Sequence, residues 1–309
     1  MKNTRTDTST QSLDTFDRLT NETTYLTRMN TSKSDKARML TWIKPGKIAE
    51  IGPGGGAVLD LLQEQFPASQ ILGIDASQRV VSALERKKEQ EKARWNIIKG
   101  DASDLPRYFG PSSLNSVIFC SVLHEVYSYT LAEDGTRFRM ESVQNVLRAA
   151  FDAIMPGGRI VIRDGIMPPH AIQRMEFLVE DAKTYFEAFC KAFEGRTLNY
   201  RYLSENQVEI ASADAMEFLY TYTWGPQSFP YEVREQYGIM TYDDYCKSIL
   251  HWLGKEAHLI PLPEQEACYL QQGYVDNLKH KVRLMDASGK DVDFPPSNAI
   301  IVIEKSLAS

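Results

Sequence analysis

A glycine-rich segment, AEIGPGGGAV from Ala49 to Val58, follows a short apolar run and contains four glycines and one proline. Glycine allows the backbone to approach a ligand closely, and the free N–H groups at the start of a following helix attract anionic or polar groups. A loop of this composition is typical of sites that bind a nucleotide-containing cofactor. We therefore expect a cofactor site at this loop.

An acidic residue downstream of the loop is compatible with a dinucleotide. The pattern Gly52-x-Gly54-x-x-Ala57 meets the dinucleotide fingerprint, and Asp75 follows Gly52 by 23 residues. At that spacing a carboxylate accepts hydrogen bonds from ribose hydroxyls. NAD is thus one interpretation, and a tight turn without any ligand is another.

Two further motifs favour a different cofactor. Glu50 precedes Gly52 by two residues, which gives Glu-x-Gly-x-Gly-x-Gly, and Gly100-Asp101-Ala102 ends the third predicted strand. Together with Asp75, these motifs resemble those of class I S-adenosylmethionine-dependent methyltransferases. The resemblance covers roughly residues 45–168 and 262–306, and it is specific as a set although each motif alone is weak.

The resemblance implies how S-adenosyl-L-methionine would bind. The glycine loop would lie beside the methionine moiety, Asp75 would accept both ribose hydroxyls, and Asp101 with Ala102 would contact the adenine. Tyr25 and Arg28 would close over the cofactor from the N-terminal region. The cofactor-binding residues implied in this way are Glu50, Gly52, Pro53, Gly54, Gly56, Asp75, Ala76, Asp101, Ala102, Cys120, Ser121 and Tyr25.

Methyl transfer is an in-line displacement, so an enzyme mainly has to align the nucleophile and, for a hydroxyl, remove its proton. The segment FCSVLHEVYSY places His124 and Glu125 just beyond the fourth predicted strand. It resembles the LHDW segment of small-molecule O-methyltransferases, in which the histidine is the general base. The resemblance implies that catalytic role for His124, with Glu125 in place of the aspartate and no tryptophan after it. A histidine that lines the pocket or only packs in the core is the alternative.

Two pairs of residues are candidates for binding the methyl acceptor. Arg163 and Asp164 end the fifth predicted strand, where they either face the cleft or pair with each other at the surface. Tyr222 and Trp224 belong to an aromatic segment, and aromatic rings provide rigid contact area and can hold a cation. Those rings either cover the substrate or pack a small core of their own.

Strand and helix patterns alternate around these motifs. Short apolar runs such as KIAEIG, QILGID and GRIVIRDG predict strands, whereas AVLDLLQEQF and RMESVQNVLRAAFDAI predict helices. Repeated strand–helix units imply a doubly wound parallel sheet that binds its ligand at the carboxyl ends of the strands. With the resemblance, the predicted fold is a Rossmann-like, mostly parallel, seven-stranded α/β sheet whose last strand is antiparallel.

The predicted domain organisation follows from where this alternation stops. Residues 1–43 are a polar tail with helices that could cover the cofactor, residues 44–168 and 262–309 form the methyltransferase core, and residues 169–261 form a helical, aromatic-rich insertion that caps the substrate. Within the insertion, apolar spacing predicts one amphipathic helix over residues 170–193. Near the end of the chain, LKHKVRLMD and NAIIVIEKS are predicted to form a hairpin that closes the sheet.

Composition disfavours several classes of partner. No apolar run approaches the roughly 20 residues that cross a bilayer, and the N-terminus has no apolar signal region, so we expect a cytoplasmic protein with no membrane partner. Residues 170–260 contain 14 Asp or Glu against 8 Lys or Arg, which disfavours nucleic acid. The four cysteines lie far apart, and His251 and His258 lack metal-site spacing, so no metal is predicted.

These observations predict methyl transfer from S-adenosyl-L-methionine to an oxygen or nitrogen of a small-molecule acceptor, by a monomer or homodimer. An RNA or protein methyltransferase is the second interpretation, although residues 1–43 carry only seven Lys or Arg against five Asp or Glu. A cofactor-binding partner subunit that has lost catalysis is the third.

Overall fold

Residues 33–307 are described by a computed structural model in which strands and helices alternate along the first half of the chain, as the sequence predicts. The strands are β1 (Lys47–Ile51), β2 (Gln70–Asp75), β3 (Asn96–Lys99), β4 (Leu114–Cys120), β5 (Ile154–Gly165), β6 (Ile172–Phe177), β7 (Tyr200–Ser204), β8 (Gln207–Ala211), β9 (Ala257–Leu259), β10 (Cys268–Tyr269), β11 (Val282–Asp286), β12 (Asp291–Val292) and β13 (Asn298–Lys305). The α-helices are α1 (Lys33–Lys36), α2 (Ala57–Gln65), α3 (Gln78–Glu91), α4 (Leu105–Phe109), α5 (Leu123–Tyr129), α6 (Met140–Ala153), α7 (Glu180–Ala192), α8 (Ser212–Thr223), α9 (Phe229–Glu232), α10 (Tyr242–Leu253), α11 (Glu264–Ala267) and α12 (Gln272–Leu278), with 3₁₀ helices at Ala37–Trp42 and Ala102–Asp104. Within residues 33–307, none of these helices combines the length and apolar character needed to cross a membrane.

The larger sheet has eight strands in the order β10-β13-β5-β4-β1-β2-β3, with β9 also paired to β13. Strands β1 to β5 are parallel, and β13 runs antiparallel to β5. This arrangement confirms the predicted Rossmann-like α/β fold with an antiparallel last strand. Two short strands, β9 and β10, share the edge beyond β13, so the sheet has eight strands instead of the seven predicted.

Both faces of the larger sheet are buried, which explains why its strands are continuous apolar runs. Val117 and Phe119 of β4 pack on one face with Leu147 of α6, and the intervening Ile118 packs on the other face with Leu59 of α2. Because successive side chains of a strand point to opposite faces, one strand supplies both layers of the core. The loops at the carboxyl ends of the strands therefore rise from a well-packed base.

The region predicted as a helical insertion, residues 169–261, contributes β6, β7 and β8 to a second sheet, which β11 and β12 from the segment predicted as core complete. The five strands of this sheet run in the order β12-β11-β6-β8-β7, and all pairs are antiparallel. Helices α7 and α8 pack against β6, and Phe186, Phe189 and Phe218 belong to the aromatic cluster that they form with the sheet. The insertion is thus an α+β unit rather than a wholly helical one.

Two local predictions in this region are wrong. The single helix predicted over residues 170–193 is divided into β6 and α7, because Gln173, Met175 and Phe177 are buried in alternation between β8 and β11. The predicted hairpin between the segments of β11 and β13 does not form. Strand β11 pairs with β6, with Val282 opposite Phe177, and β13 pairs with β5. In both cases the apolar pattern of a short segment fits more than one element, and pairing across the sheet decides between them.

The predicted N-terminal region is described only from residue 33 onwards. Residues 33–43 pack against the larger sheet through Met39 and Ile43, which are buried with Ile48 and Leu62. Tyr25 and Arg28, the predicted lid residues, lie outside the described residues.

Replacing Phe218 with alanine tests the core of the insertion. Phe218 is fully buried, and its ring contacts those of Phe177, Phe186 and Tyr222. Because truncation of a buried phenylalanine leaves a cavity, we expect Phe218→Ala to lower the free energy of unfolding by about 3–5 kcal/mol in urea denaturation. Tyr202→Ala, at an exposed position of β7, should change it by no more than about 0.5 kcal/mol. Equal losses in the two variants would contradict the assigned core.

Candidate active site

A cavity of about 850 Å³ lies at the carboxyl ends of the parallel strands. Residues that follow β1, β2, β3 and β4 form its floor, and α5, the loop after it and the start of α6 form the opposite wall. Its volume is in the range of small-molecule and cofactor sites. The predicted site residues that line it are Gly52, Gly54, Asp75, Ala76, Asp101, Ala102, Ser121 and Glu125.

Gly52 determines the shape of the loop after β1. Its φ of 61° is in the left-handed region, and a Cβ at this position would lie 2.6 Å from Val122 Cγ2. Its N–H donates to the Ile74 carbonyl at 2.9 Å, which ties the end of β1 to β2. A side chain at position 52 would therefore collide with the neighbouring wall of the cavity. Pro53 and Gly56 continue the turn into α2, with the Gly56 N–H donating to the Pro53 carbonyl at 2.8 Å.

Asp75 ends β2 with a buried carboxyl group at the cavity wall. Its Oδ1 accepts a hydrogen bond from the Ser77 N–H at 2.8 Å, and Oδ2 forms none with the residues that the structure describes. Burial raises the pKa of Asp75 to about 7, against the opposing effect of the Ser77 bond and with a further rise from the charge of Glu125. When ionised, this carboxylate offers a free acceptor oxygen to a ligand hydroxyl.

Glu50 lies within β1, beneath the glycine loop, and does not line the cavity itself. It is 2% exposed, and its Oε2 has no hydrogen-bond partner among the described residues. Burial raises the pKa of Glu50 to about 8, while Lys36 lowers it and the carboxylates of Asp60 and Asp75 raise it further. A buried carboxyl oxygen without a partner is uncommon, so a positively charged or donating ligand group would complete this part of the site.

Asp101 follows β3 and lines the cavity with Ala102. Its Oδ1 accepts hydrogen bonds from the Ser103 N–H at 2.8 Å and from the Ser103 hydroxyl at 2.6 Å. The Asp101 N–H donates to the Tyr108 hydroxyl at 3.3 Å. These bonds fix the carboxyl group at the start of the 3₁₀ turn, in the loop where the sequence predicts contact with an adenine.

His124 and Asp164 form a buried pair behind the cavity wall. His124 Nδ1 lies 2.6 Å from Asp164 Oδ1, and both side chains are at most 5% exposed. The ring of His124 stacks on that of Tyr237 with centroids 4.6 Å apart. Burial by itself lowers the pKa of His124, but the Asp164 carboxylate and its hydrogen bond outweigh burial, so the net direction is upward. His124 is thus enclosed between the sheet and the insertion, and Glu125, the next residue, is the one that lines the cavity.

Asp164 also holds the backbone around it. Its Oδ2 accepts from the Leu123 N–H at 2.7 Å and from the His124 N–H at 3.3 Å, and its Oδ1 accepts from the Gly165 N–H at 2.8 Å. The bonds from Leu123 and His124 join the end of β5 to the start of α5, and the bond from Gly165 lies within β5. The carboxylate that the sequence assigns to substrate is therefore used inside the protein and does not line the cavity.

Arg163 points to the other face of the sheet. Its Nε donates to Tyr269 Oη at 2.9 Å and to Asp35 Oδ2 at 3.0 Å, and its Nη1 donates to Ser121 Oγ at 2.7 Å. Its partners are thus Tyr269, Asp35 and Ser121, and not Asp164. Because the side chain is only 3% exposed, it is not available to a ligand in the cavity. Through Ser121 it supports one residue of the cavity floor, and Cys120, just before Ser121, is buried in the core.

Tyr222 and Trp224 belong to the core of the insertion. The ring of Tyr222 stacks on Phe218 with centroids 5.4 Å apart, and its hydroxyl donates to Asp181 at 2.8 Å. Trp224 packs against the same cluster. Neither residue lines the cavity. Both rings instead pack in the core of the insertion, which is the second possibility that the sequence left open.

Several lining residues were not predicted. Tyr129, Arg139, Glu141 and Asn145 come from α5, the loop after it and α6. The signal in the sequence was the polar connection at residues 130–139, because loops at the carboxyl edge of a parallel sheet are where ligands bind.

Glu235 was also missed, because it lies far along the chain in the insertion. It is 1% exposed, its Oε1 accepts from the Tyr129 hydroxyl at 2.8 Å, and its Oε2 lies 3.6 Å from His124 Nε2. Glu217 of α8 holds the same segment by accepting from the N–H groups of Tyr237 at 2.9 Å and Gly238 at 2.6 Å. No local pattern marks Glu235, since only the packing of the insertion brings it to α5.

Comparison with known proteins agrees with this geometry. Residues 49–160 match the family model described as a methyltransferase domain. The tRNA (guanine-N(7)-)-methyltransferase of Scheffersomyces stipitis is 27% identical over 128 residues, which are 32% of this chain and 42% of that protein. The ubiquinone/menaquinone biosynthesis C-methyltransferase UbiE of Desulfotalea psychrophila is 23% identical over 177 residues, which are 57% of this chain and 63% of that protein. The chain thus spans about half the length of these curated relatives.

The crystal structure of TnmH has a similar fold, with a TM-score of 0.51 at 14% identity over 92% of this chain and 57% of that one. The sheet order and the acidic residues at the strand ends are those expected of class I, Rossmann-like methyltransferases. The match to the family model agrees with this class. Residues 49–160 of this chain thus match a methyltransferase domain, and S-adenosyl-L-methionine is the cofactor that such a domain implies.

The pKa of Asp75 predicts how cofactor binding depends on pH. Only the ionised carboxylate accepts two hydrogen bonds from ribose hydroxyls, so the affinity for S-adenosylhomocysteine should be highest above pH 7. It should fall by up to about tenfold per unit as the pH drops below 7. Titration calorimetry from pH 6 to pH 8 measures this.

Asp75→Asn is the control, because it cannot ionise. It should bind more weakly at pH 8, by about tenfold or more for the loss of charged hydrogen bonds, and the part of the pH dependence that comes from Asp75 should disappear. An affinity of the unmodified protein that is equal at pH 6 and pH 8 would contradict the assigned role.

Proposed function

We propose that this chain transfers the methyl group of S-adenosyl-L-methionine to an oxygen or nitrogen of a small-molecule acceptor. The observation that carries the proposal is the cavity of about 850 Å³, which has the predicted cofactor-binding strand ends on one side and the polar wall of α5 and α6 on the other. The bound cofactor supplies an electrophilic methyl group on its sulfonium. The protein has to hold donor and acceptor in line and receive a proton.

The residues present fit the cofactor. Gly52 lets the loop lie close against Val122, where a Cβ would collide, and Glu50 is buried beneath that loop with one carboxyl oxygen that has no hydrogen-bond partner among the described residues. Asp75 would accept the ribose hydroxyls, and Asp101 would contact the adenine. Each of these roles follows from the family resemblance and from where the side chain lies.

The acceptor would bind against the wall formed by α5 and α6. Glu125 lines this wall and is the next residue in the sequence after His124, which is buried against Asp164. Glu125 is therefore the group proposed to receive the acceptor proton. His124, enclosed behind it, would act by positioning this wall instead of touching the acceptor. Tyr129 and Asn145 offer further polar contacts for orientation.

Transfer to tRNA is the second candidate, because a tRNA (guanine-N(7)-)-methyltransferase is similar to this chain over 128 residues. The charge of the cavity favours the first candidate. Among the described residues that line it, Asp75, Asp101, Glu125, Glu133 and Glu141 are acidic, whereas Arg139 alone is basic. A polyanion would be repelled by such a lining. A monomeric or dimeric state and a cytoplasmic location stay predictions.

Transfer of a labelled methyl group distinguishes the candidates. The protein is incubated with methyl-labelled S-adenosyl-L-methionine and either a small-metabolite extract or purified tRNA. We expect label in the metabolite fraction and none in tRNA, because the acidic cavity excludes a phosphate backbone. Transfer should be lost in Asp75→Ala and kept in Asp152→Asn, which changes an exposed carboxylate on α6. Label in tRNA would support the second candidate, and label in neither fraction would support a catalytically silent subunit.

A further inference from the structure

A lysine that does not line the cavity contacts the glycine loop after β1. Lys87 of α3 donates through Nζ to the Gly55 carbonyl at 3.2 Å, and the same ammonium group forms an ion pair with Asp60 of α2. Its side chain is 21% exposed, so both bonds lie partly out of water. Lys87 therefore joins three parts of the chain, which are the glycine loop and the helices α2 and α3.

The residues on either side of Gly55 depend on bonds from outside the loop. Gly54 and Gly56 have φ values of 50° and 77°, in the left-handed region that glycine adopts readily. Glycine also loses more conformational freedom on folding than any other residue, so an ordered loop of this kind has to be held by its surroundings. Gly54 lines the cavity, and Gly56 is the cap of α2, so a bond to Gly55 acts at the centre of the turn.

Asp60 fixes the position of the Lys87 ammonium group. Its Oδ2 pairs with Lys87, while its Oδ1 accepts a hydrogen bond from Trp95 Nε1 at 2.9 Å. Trp95 is fully buried in the core on that face of the sheet. A Cβ at Gly56 would lie 3.4 Å from Lys87 Nζ and 2.8 Å from Leu84 Cδ2, so α3 packs directly against the loop. The ammonium group is thus anchored to the core at the place where it meets the loop.

A partly exposed ion pair can also be no more than a weak link between two helices. The charge of Lys87, however, acts on the buried site beneath the loop. Burial raises the pKa of Glu50 to about 8, and Lys36 and Lys87 oppose that rise. Lys87 therefore lies close to both the backbone and the buried carboxyl group of the predicted cofactor site.

We propose that Lys87 is a positioning residue for the cofactor, which holds the glycine loop in its binding conformation through the Gly55 carbonyl. It acts through the loop and touches neither the cofactor nor the acceptor. The inference rests on the proposed function in taking S-adenosyl-L-methionine as the ligand of the loop. Because the loop is already ordered before the ligand arrives, binding does not have to supply the free energy of ordering it.

Titration calorimetry of the full chain with S-adenosylhomocysteine tests this role. Lys87→Met keeps a long side chain but removes the charge and the donors, so it should bind about tenfold more weakly than the unmodified protein, as for the loss of a charged hydrogen bond. Lys87→Arg restores the charge and the donors and should recover most of the affinity. Lys88→Met is the matched control, because Lys88 is equally half-buried on α3 and donates to Asn96 instead of the loop. Its affinity should equal that of the unmodified protein.

Amide hydrogen exchange, followed by nuclear magnetic resonance without any ligand, separates this role from a general loss of stability. The Gly56 N–H closes the loop by donating to the Pro53 carbonyl. In Lys87→Met the Gly56 amide should exchange several-fold faster, while the amides of β4 should exchange as in the unmodified protein. Unchanged exchange at Gly56, or equally faster exchange in β4, would overturn the positioning role.

The calorimetric result also separates the two proposals. Equal binding of S-adenosylhomocysteine by the unmodified protein and by Lys87→Met would overturn the role of Lys87 and leave the proposed function intact. Weak binding by Lys87→Met without recovery in Lys87→Arg would likewise overturn it. No binding by the unmodified protein would overturn the proposed function itself.

Discussion

The active-site half of the molecule depends on one buried carboxylate, that of Asp164. It accepts hydrogen bonds from the N–H groups of Leu123, His124 and Gly165, and it contacts the ring of His124 at 2.6 Å. A buried ionised group is tolerated only when such bonds replace its lost hydration. By joining the end of β5 to the start of α5, Asp164 fixes the direction of the helix that carries Glu125 to the cavity. The floor of the cavity and the wall formed by α5 and α6 are thus held in one geometry.

The insertion completes the site through a second buried carboxylate. Glu217 accepts from the N–H groups of Tyr237 and Gly238 and so holds the loop that brings Tyr237 against His124 and Glu235 to Tyr129. The aromatic core of the insertion, centred on Phe218, supports α8 and therefore Glu217. The insertion thus supports the wall of the cavity that α5 and α6 form.

The sequence was informative where the chemistry is local. Gly52, Asp75 and Asp101 lie at or just beyond the ends of strands, and in a parallel sheet those ends meet at one edge, so their convergence could be predicted. Arg163 and Asp164 could not be separated, because which face each side chain takes depends on the register of β5 with its neighbours. The strand β6 was misread as helix for a related reason, since its pairing partners are distant in the chain. Glu235 had no local signal at all.

The central claim is that the glycine loop and the acidic strand ends bind S-adenosyl-L-methionine rather than a dinucleotide. Titration calorimetry with S-adenosylhomocysteine and, separately, with NAD tests it most directly. We expect one molecule of S-adenosylhomocysteine bound per chain and no measurable heat with NAD. Binding of NAD without binding of S-adenosylhomocysteine would contradict it.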